Sequence, residues 1–348
     1  MYKSATPQTV QIRRSFLKKA ALIAVIGLGM VGSFVPSASA EEKKKILFFT
    51  KSTGFQHSVI TRKPTDPEKL SYAEEILTDI GAKNGFEVTC SKDGKIFATD
   101  EYKKYDVYAF YTTGDLTKDS DKYTQKDDPN VDPKADPKAK KKNKINDKLI
   151  MAEPGMTDAG KANLLAAIKG GKGFIAFHSG SDTFHSKGKP SVELLRDLDE
   201  KGQDKFDPYI SMLGGEFIVH GAQQPSTLNC VDEKFPGAAK LKDATFQEEW
   251  YSLKNFAPDI HVIMVQKTDG MKGVMYERAP FPQTWARMEG KGRVFFTSLG
   301  HREDVWKRED FTQLVVGAMN WTTGKVDADV TPNIKTVTPN ADPKPFKK

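Results

Sequence analysis

The stretch Gly170-Gly-Lys-Gly-Phe-Ile-Ala-Phe-His-Ser-Gly-Ser-Asp-Thr-Phe-His185 constrains the fold more than any other part of the chain. A glycine-rich turn leads into the short apolar run Phe174 to Phe177, which breaks at once into His178, Ser179, Gly180, Ser181 and Asp182. A helix end, a buried strand and a tight polar turn follow one another. In an open α/β sheet, ligands bind just past the carboxyl ends of the strands, where this turn falls. The turn also stands in the place of a nucleophile elbow, in which a strained residue projects its side chain. Here that residue is His178, with Gly180 two positions on to relieve crowding. Ser179 is one place out of register, which argues against Ser-His-Asp hydrolysis.

The flanking sequence repeats the pattern. Ile46 to Thr50 is a continuous apolar run and reads as a buried parallel strand, followed by a loop containing His57. A helical pattern from about Pro67 to Lys83 places Leu70, Ala73, Ile76, Leu77 and Ile80 on one face. Phe86 to Cys90 and Tyr105 to Tyr111 are further strands, the second closed by Thr112, Thr113, Gly114 and Asp115. Thr157 is a helix N-cap, and its helix carries Leu164, Leu165 and Ile168 and ends at Gly170 and Gly171. Ser191 to Glu200 reads as helical. Strands are predicted at Thr227 to Val231, His261 to Gln266, Val274 to Glu277 and Arg293 to Ser298, and a last helix from Asp310 to Trp321. Alternating strands and helices predict the α/β class with a mostly parallel central sheet.

Three segments stand outside this pattern. Residues 1–40 read as a twin-arginine-type signal: Arg13-Arg14-Ser15-Phe16-Leu17-Lys18, the apolar run Ala20 to Val31, then Ala38-Ser39-Ala40 as a cleavage site. The expected destination is periplasmic or extracellular, with no stable membrane anchor after cleavage. The signal holds five basic residues and no acidic ones, so the remainder has 48 basic against 46 acidic side chains. Its net charge of +2 gives no case for a nucleic-acid partner. Residues 116–150, rich in Lys, Asp, Pro and Asn, read as a solvated insertion loop, and residues 326–348 as a disordered tail. The ordered domain is thus expected over residues 41–325. Cys90 and Cys230 both lie in strand-like runs, and a disulfide and two buried thiols are equally compatible with export.

The polar residues at strand ends carry the chemistry. His57, Asp115, His178, His220 and His301 each follow a strand candidate, with Asp182 and His185 just past His178. His261 begins a strand and is assigned to structure. Imidazole and carboxylate together supply acid–base groups near neutral pH, or a mixed nitrogen and oxygen set for a divalent metal such as zinc or manganese. No standard zinc spacing such as His-Glu-x-x-His occurs at this turn. Trp250, Tyr251, Trp285 and Trp306 are either core residues or surfaces on which a sugar stacks.

Taken in order, these motifs resemble the ThuA-like (trehalose utilisation) family, over nearly all of Lys45 to Lys325. The carriers are Thr53-Gly-Phe-Gln-His57-Ser58, Thr113-Gly-Asp115, Gly170 to Phe184, Leu213-Gly-Gly-Glu-Phe-Ile-Val-His220, Glu249-Trp-Tyr251, Thr284-Trp-Ala-Arg287 and Gly292-Arg-Val-Phe-Phe-Thr-Ser-Leu-Gly-His301. The resemblance implies a flavodoxin-like three-layer sandwich of the class I glutamine amidotransferase type. It also implies a role in carbohydrate metabolism, as a hydrolase or lyase or as a sugar- or partner-binding module. The amidotransferase cysteine is replaced by His178, so glutamine hydrolysis is not expected. The family's polar positions carry over to His57, Asp115, His178, Asp182, His220, Glu249 and His301, with His178 and Asp182 as acid–base groups. Gly221 stands where relatives often carry Pro after the histidine, and a later His-Pro is Phe235-Pro236 here. Both departures lie in loops, which shape the pocket.

Overall fold

The computed structural model describes residues 42–63, 66–120, 153–185, 201 and 205–341. The proposed signal, most of the 116–150 segment, the Ser191 to Glu200 helix and the last seven residues lie outside the described residues. The strands are β1 (Lys44–Phe49), β2 (Phe86–Ser91), β3 (Val107–Phe110), β4 (Gly173–Phe177), β5 (Glu216–His220), β6 (Gln224–Cys230), β7 (Ala244–Glu248), β8 (Tyr251–Lys254), β9 (His261–Gln266), β10 (Phe281–Glu289) and β11 (Gly292–Thr297). The helices are α1 (Tyr72–Lys83), α2 (Lys95–Ala98), α3 (Thr157–Lys169), α4 (Pro208–Leu213), α5 (Glu303–Trp306), α6 (Glu309–Thr322) and α7 (Ile334–Val337).

Among the described residues, nine strands form one sheet in the order β2-β1-β3-β4-β11-β10-β9-β6-β7. The half from β2 to β11 is parallel, as expected. The half from β10 to β7 is antiparallel, which corrects the expectation of a mostly parallel sheet to a mixed one. Alternation along each parallel strand explains where the core sits. Ile46 and Phe48 face one apolar cluster with α1 and α6, while Leu47 and Phe49 face another with α3 and α4. Both faces are dry, which is why these strands read as unbroken apolar runs. The pair β5–β8 forms a separate antiparallel ribbon.

Other expectations shift locally. Val274–Tyr276 is a 3-10 turn rather than a strand, preceded by Gly273 at φ 115°. Thr157 is the first residue of α3 and not the cap before it, which is Met156; at φ 61° its Oγ1 still accepts the Gly160 N–H at 3.2 Å. The presumed tail is ordered as far as Ala341, contrary to expectation. Beyond Cys230, β6 no longer covers the β9 edge at Val262. Asn333 fills that edge, its Oδ1 accepting from Val262 N at 2.6 Å and its Nδ2 donating to Val262 O at 3.1 Å. His261 is structural, as assigned, bonded to Thr331 O and the Asp232 carboxylate. Both cysteines are free thiols, pushed up by burial to about 12 at Cys90 and about 11 at Cys230.

One buried ion pair braces the loop after β1. Glu74 on α1 accepts from Thr50 Oγ1 at 2.6 Å, from Arg62 Nε at 2.8 Å and from the Ser71 N–H at 2.8 Å. Thr50 and Arg62 flank the loop that carries His57, so the carboxylate ties both ends of that loop to the helix. Burial opposes its charge, but Arg62, Lys92 and Thr50 outweigh burial and hold the carboxyl below its ordinary value. A depressed carboxyl contributes stability that is complete above its unfolded pKa of 4.5 and is lost as pH falls below it. Glu74→Gln should therefore lower the unfolding free energy by about 3 kcal/mol at neutral pH. Denaturant melts should show that penalty shrinking by about pH 4. An equal penalty at both pH values would contradict the ion-pair account.

Candidate active site

Each parallel strand ends on the same rim. β4 runs directly into the 3-10 turn His178–Asp182, and His178 adopts φ 40°, as an elbow residue does. A backbone of this kind costs about 1–3 kcal/mol and persists only when its surroundings enforce it. The constraint is visible at Gly180, where a Cβ would come within 2.7 Å of Ala176 Cβ. The His178 ring is fixed from the neighbouring strand, its Nδ1 donating to Ser298 O at 2.8 Å. Tyr111, following β3, packs its ring against both His57 and His178, and its hydroxyl donates to Gly300 O.

Glu249 arrives by a different route. It lies in the junction where the chain leaves β7 at the far edge of the sheet and enters β8 of the ribbon. The preceding Glu248 holds that junction against the loop after β11. Glu248 Oε1 accepts the N–H groups of Gly300 at 2.8 Å and His301 at 2.9 Å, while Oε2 accepts that of Glu249 at 2.9 Å. The ribbon brings Tyr251 over the rim, its ring 4.0 Å from that of His178 between centroids. Its hydroxyl lies 3.4 Å from His57 Nε2.

The result is one compact cluster. The ring centroids of His57, His178 and His301 lie 4.9, 5.1 and 5.2 Å apart. Glu249 Oε2 stands 3.4 Å from His178 Nε2, 3.2 Å from His301 Nδ1 and 3.9 Å from His57 Nε2. Its Oε1 is 3.3 Å from Nδ1 of the exposed His220. Among the described residues, the ligand atoms of His57, His178, Glu249 and His301 all fall within 4.8 Å of one another. The arrangement can relay protons or hold one cation. Burial pushes His57 down to about 3 and His178 to about 4 against the pull of Glu249, so both are neutral at physiological pH. Burial also works to raise the Glu249 carboxyl, but the surrounding imidazoles outweigh it and keep the group ionised. Glu248, sealed beneath, is raised by burial to about 7.

The structure therefore brings His57, His178, His220, Glu249 and His301 together. Asp115 is not among them: it is exposed, and its Oδ1 closes an Asx-turn on Thr117 N at 3.1 Å and Thr117 Oγ1 at 2.6 Å. Asp182 sits in the adjoining wall, where burial and Glu216 raise its carboxyl to about 6 against His185 and His220. Trp250, Trp285 and Trp306 are fully buried core residues, which removes them as surfaces for a ligand. Phe55 is the aromatic that stays exposed beside the cluster, its ring 5.0 Å from His57. Glu248 and Tyr251 have structural roles at the site that sequence reasoning did not give them. The adjacent pair Glu248-Glu249 was the available signal.

Fold and site together define a mixed α/β protein with a histidine–carboxylate cluster on the carboxyl edge of its parallel strands. The trehalose utilisation (ThuA) family matches residues 145–322, and the chain belongs to that family. A ThuA-like protein from Bacteroides uniformis superposes with a TM-score of 0.50 at 16% identity, over 86% of this chain and 99% of that one. One from Parabacteroides merdae gives 0.46 at 17% identity, over 84% and 95%. A β-galactosidase from Bacillus circulans gives 0.41 at 11% identity, over 84% of this chain and 32% of its own. The likeness to the first shows the fold alone. Comparison with curated proteins gave no match.

Asp182 makes the site pH-sensitive in a defined direction. A carboxyl raised in the folded state stabilises the fold fully below its unfolded pKa of 3.8, and that contribution is lost as pH rises through about 6. Asp182→Asn should thus gain roughly 2 kcal/mol on the parent between acid and neutral pH. Melting curves across that range check it, and parallel curves for the two proteins would contradict it.

Proposed function

We propose that this cluster acts on a carbohydrate, a trehalose-type glycoside or a keto-sugar, as a hydrolase or lyase working by proton transfer. The convergence of three imidazoles on the Glu249 carboxylate carries the reading. Membership of the trehalose utilisation family supports the substrate class. His57 and His178, both neutral, serve as proton acceptors. Asp182, with its carboxyl near 6, exchanges a proton close to neutrality. Phe55 offers an exposed ring face on which a pyranose can stack. His220, exposed at the mouth, reaches Glu249 Oε1 and is placed to touch a sugar hydroxyl.

The same reading takes the scaffold as a flavodoxin-like three-layer sandwich of the amidotransferase type, supported by the separate apolar clusters on the two faces of the sheet. His178 at the elbow argues against glutamine hydrolysis. The paired arginines and small-residue cleavage site support export to the periplasm or beyond. A small-molecule sugar is the partner this requires, with no nucleic acid.

A panel of glycosides and 3-keto-glycosides incubated with the purified protein tests the reading. His57→Ala and Asp182→Asn should each reduce turnover by about 100-fold or more while affinity is largely kept. Tight binding of a sugar that is never altered would instead make the protein a binding module and overturn the catalytic reading.

A further inference from the structure

At the centre of the cluster three atoms form a tight triangle. His178 Nε2, His301 Nδ1 and Glu249 Oε2 are separated by 3.4, 3.2 and 3.3 Å, taking the His178–Glu249, His301–Glu249 and His301–His178 edges in turn. Zinc binds imidazole nitrogen and carboxylate oxygen at about 2.0–2.1 Å, and a tetrahedron of such bonds has edges of about 3.3–3.4 Å. The three atoms come from three elements distant in sequence, yet match one face of that tetrahedron.

Hydrogen bonding points the same way. The Nδ1 proton of His178 is committed to Ser298 O, so in the neutral ring Nε2 presents a lone pair to the triangle. This is the outer-shell carbonyl arrangement that orients metal-binding histidines. Across from it stands Glu249 Oε2, also an acceptor, at 3.4 Å. Two acceptors facing one another at this distance repel unless positive charge lies between them. A proton on His301 Nδ1 would leave the His178–Glu249 contact unrelieved, whereas one cation serves all three edges. His57 is different. Its Nε2 is farther from Glu249 Oε2, at 3.9 Å, and its buried Nδ1 has no hydrogen-bond partner among the described residues.

We propose that His178 Nε2, His301 Nδ1 and Glu249 Oε2 are the protein ligands of a single zinc ion, with His57 facing its fourth, open position. Two nitrogens and one carboxylate oxygen form a ligand set suited to zinc, and an open fourth position is the mark of a catalytic rather than a structural site. Calcium and magnesium prefer all-oxygen sites. The proposal deepens the carbohydrate reading by assigning this site its ion: His178 becomes a ligand, and proton transfer falls to His57 and Asp182. Gln223 Nε2 lies 2.9 Å from His301 Nε2, and its Oε1 accepts from Arg302. With zinc on Nδ1 the His301 Nε2 carries the ring proton, so the Gln223 amide must turn its oxygen to that ring when the ion binds.

The test uses the full chain, purified without a histidine tag or added metal, and reads metal content by elemental analysis before any substrate is introduced. About one zinc per chain is expected. After chelation, titration with zinc chloride alone should restore it, and cobalt(II) in its place should give the intense visible absorption of tetrahedral cobalt. Glu249→Gln and His301→Ala should lose zinc, each checked for folding by circular dichroism. His301 and Glu249 are almost equally exposed and lie on different elements, so either variant keeps the test usable if the other fails to fold. His57→Ala should retain the ion. Zinc content near zero with no uptake on titration would overturn the proposal, as would uptake of manganese but not zinc. Zinc binding unchanged in Glu249→Gln and His301→Ala would also overturn it. Loss of zinc in His57→Ala as complete as in Glu249→Gln would overturn the three-ligand assignment. A protein that binds zinc as expected but alters no sugar would sink the carbohydrate reading and leave the metal centre standing.

Discussion

Both oxygens of Glu248 are spent on backbone. Its hydrogen bonds to the N–H groups of Gly300, His301 and Glu249 join the far edge of the sheet to the loop after β11. Without that clamp, Glu249 would hang from an irregular junction and His301 from a loop with a glycine at φ 110°. Hydrogen bonds to a buried carboxyl are strong because they face little competition from water, and three of them here set the relative position of the two halves of the site. Ser298, two residues before Gly300, supplies the carbonyl that orients His178, so the same loop also fixes the elbow ring from the opposite side.

The site straddles a change in architecture. His57 and His178 belong to the parallel half of the sheet, where strand ends line up on one rim by construction. Glu249, Tyr251 and His220 come from the ribbon and the junction leading into it, which have no such rule to place them. A carboxylate delivered from a separate unit over a rim of imidazoles can reach into the cluster rather than lie flat against the sheet.

That division also explains what could be read from the sequence. The buried strands around Ile46–Phe49, Val107–Phe110 and Phe174–Phe177 announce themselves because both faces are apolar, and the histidines that follow the first and the last of them, His57 and His178, could be picked out directly. β10 escaped because its interior carries Pro282, Gln283, Thr284 and Arg287, which break the apolar run. These polar groups are buried only because partners receive them: Gln283 donates to Tyr251 O and Gln266 Oε1, and Arg287 to the Asp259 carboxylate. Val274–Tyr276 has the composition of a strand, but no strand among the described residues pairs with it, and Gly273 turns the chain instead. Asp115 looked like a rim carboxylate because Asx-turns and active-site acids occupy the same place after a strand. Composition could not show that Thr117 would claim its oxygen. The ordered stretch through Ala341 was hidden for a similar reason, since one asparagine completing an open strand edge leaves no pattern in a Pro- and Lys-rich segment.

The left-handed backbone at His178 has a consequence for how such a scaffold can change. The turn itself and the close approach of Gly180 to Ala176 set the backbone there, and Ser298 O then holds the fully buried ring. The backbone would carry a thiol, a hydroxyl or an imidazole to the same point above the strands, but the Ser298 carbonyl beside it is matched to the imidazole N–H. Exchanging chemistry on this rim therefore means changing the loop after β11 together with the elbow residue, while the strands beneath can stay as they are.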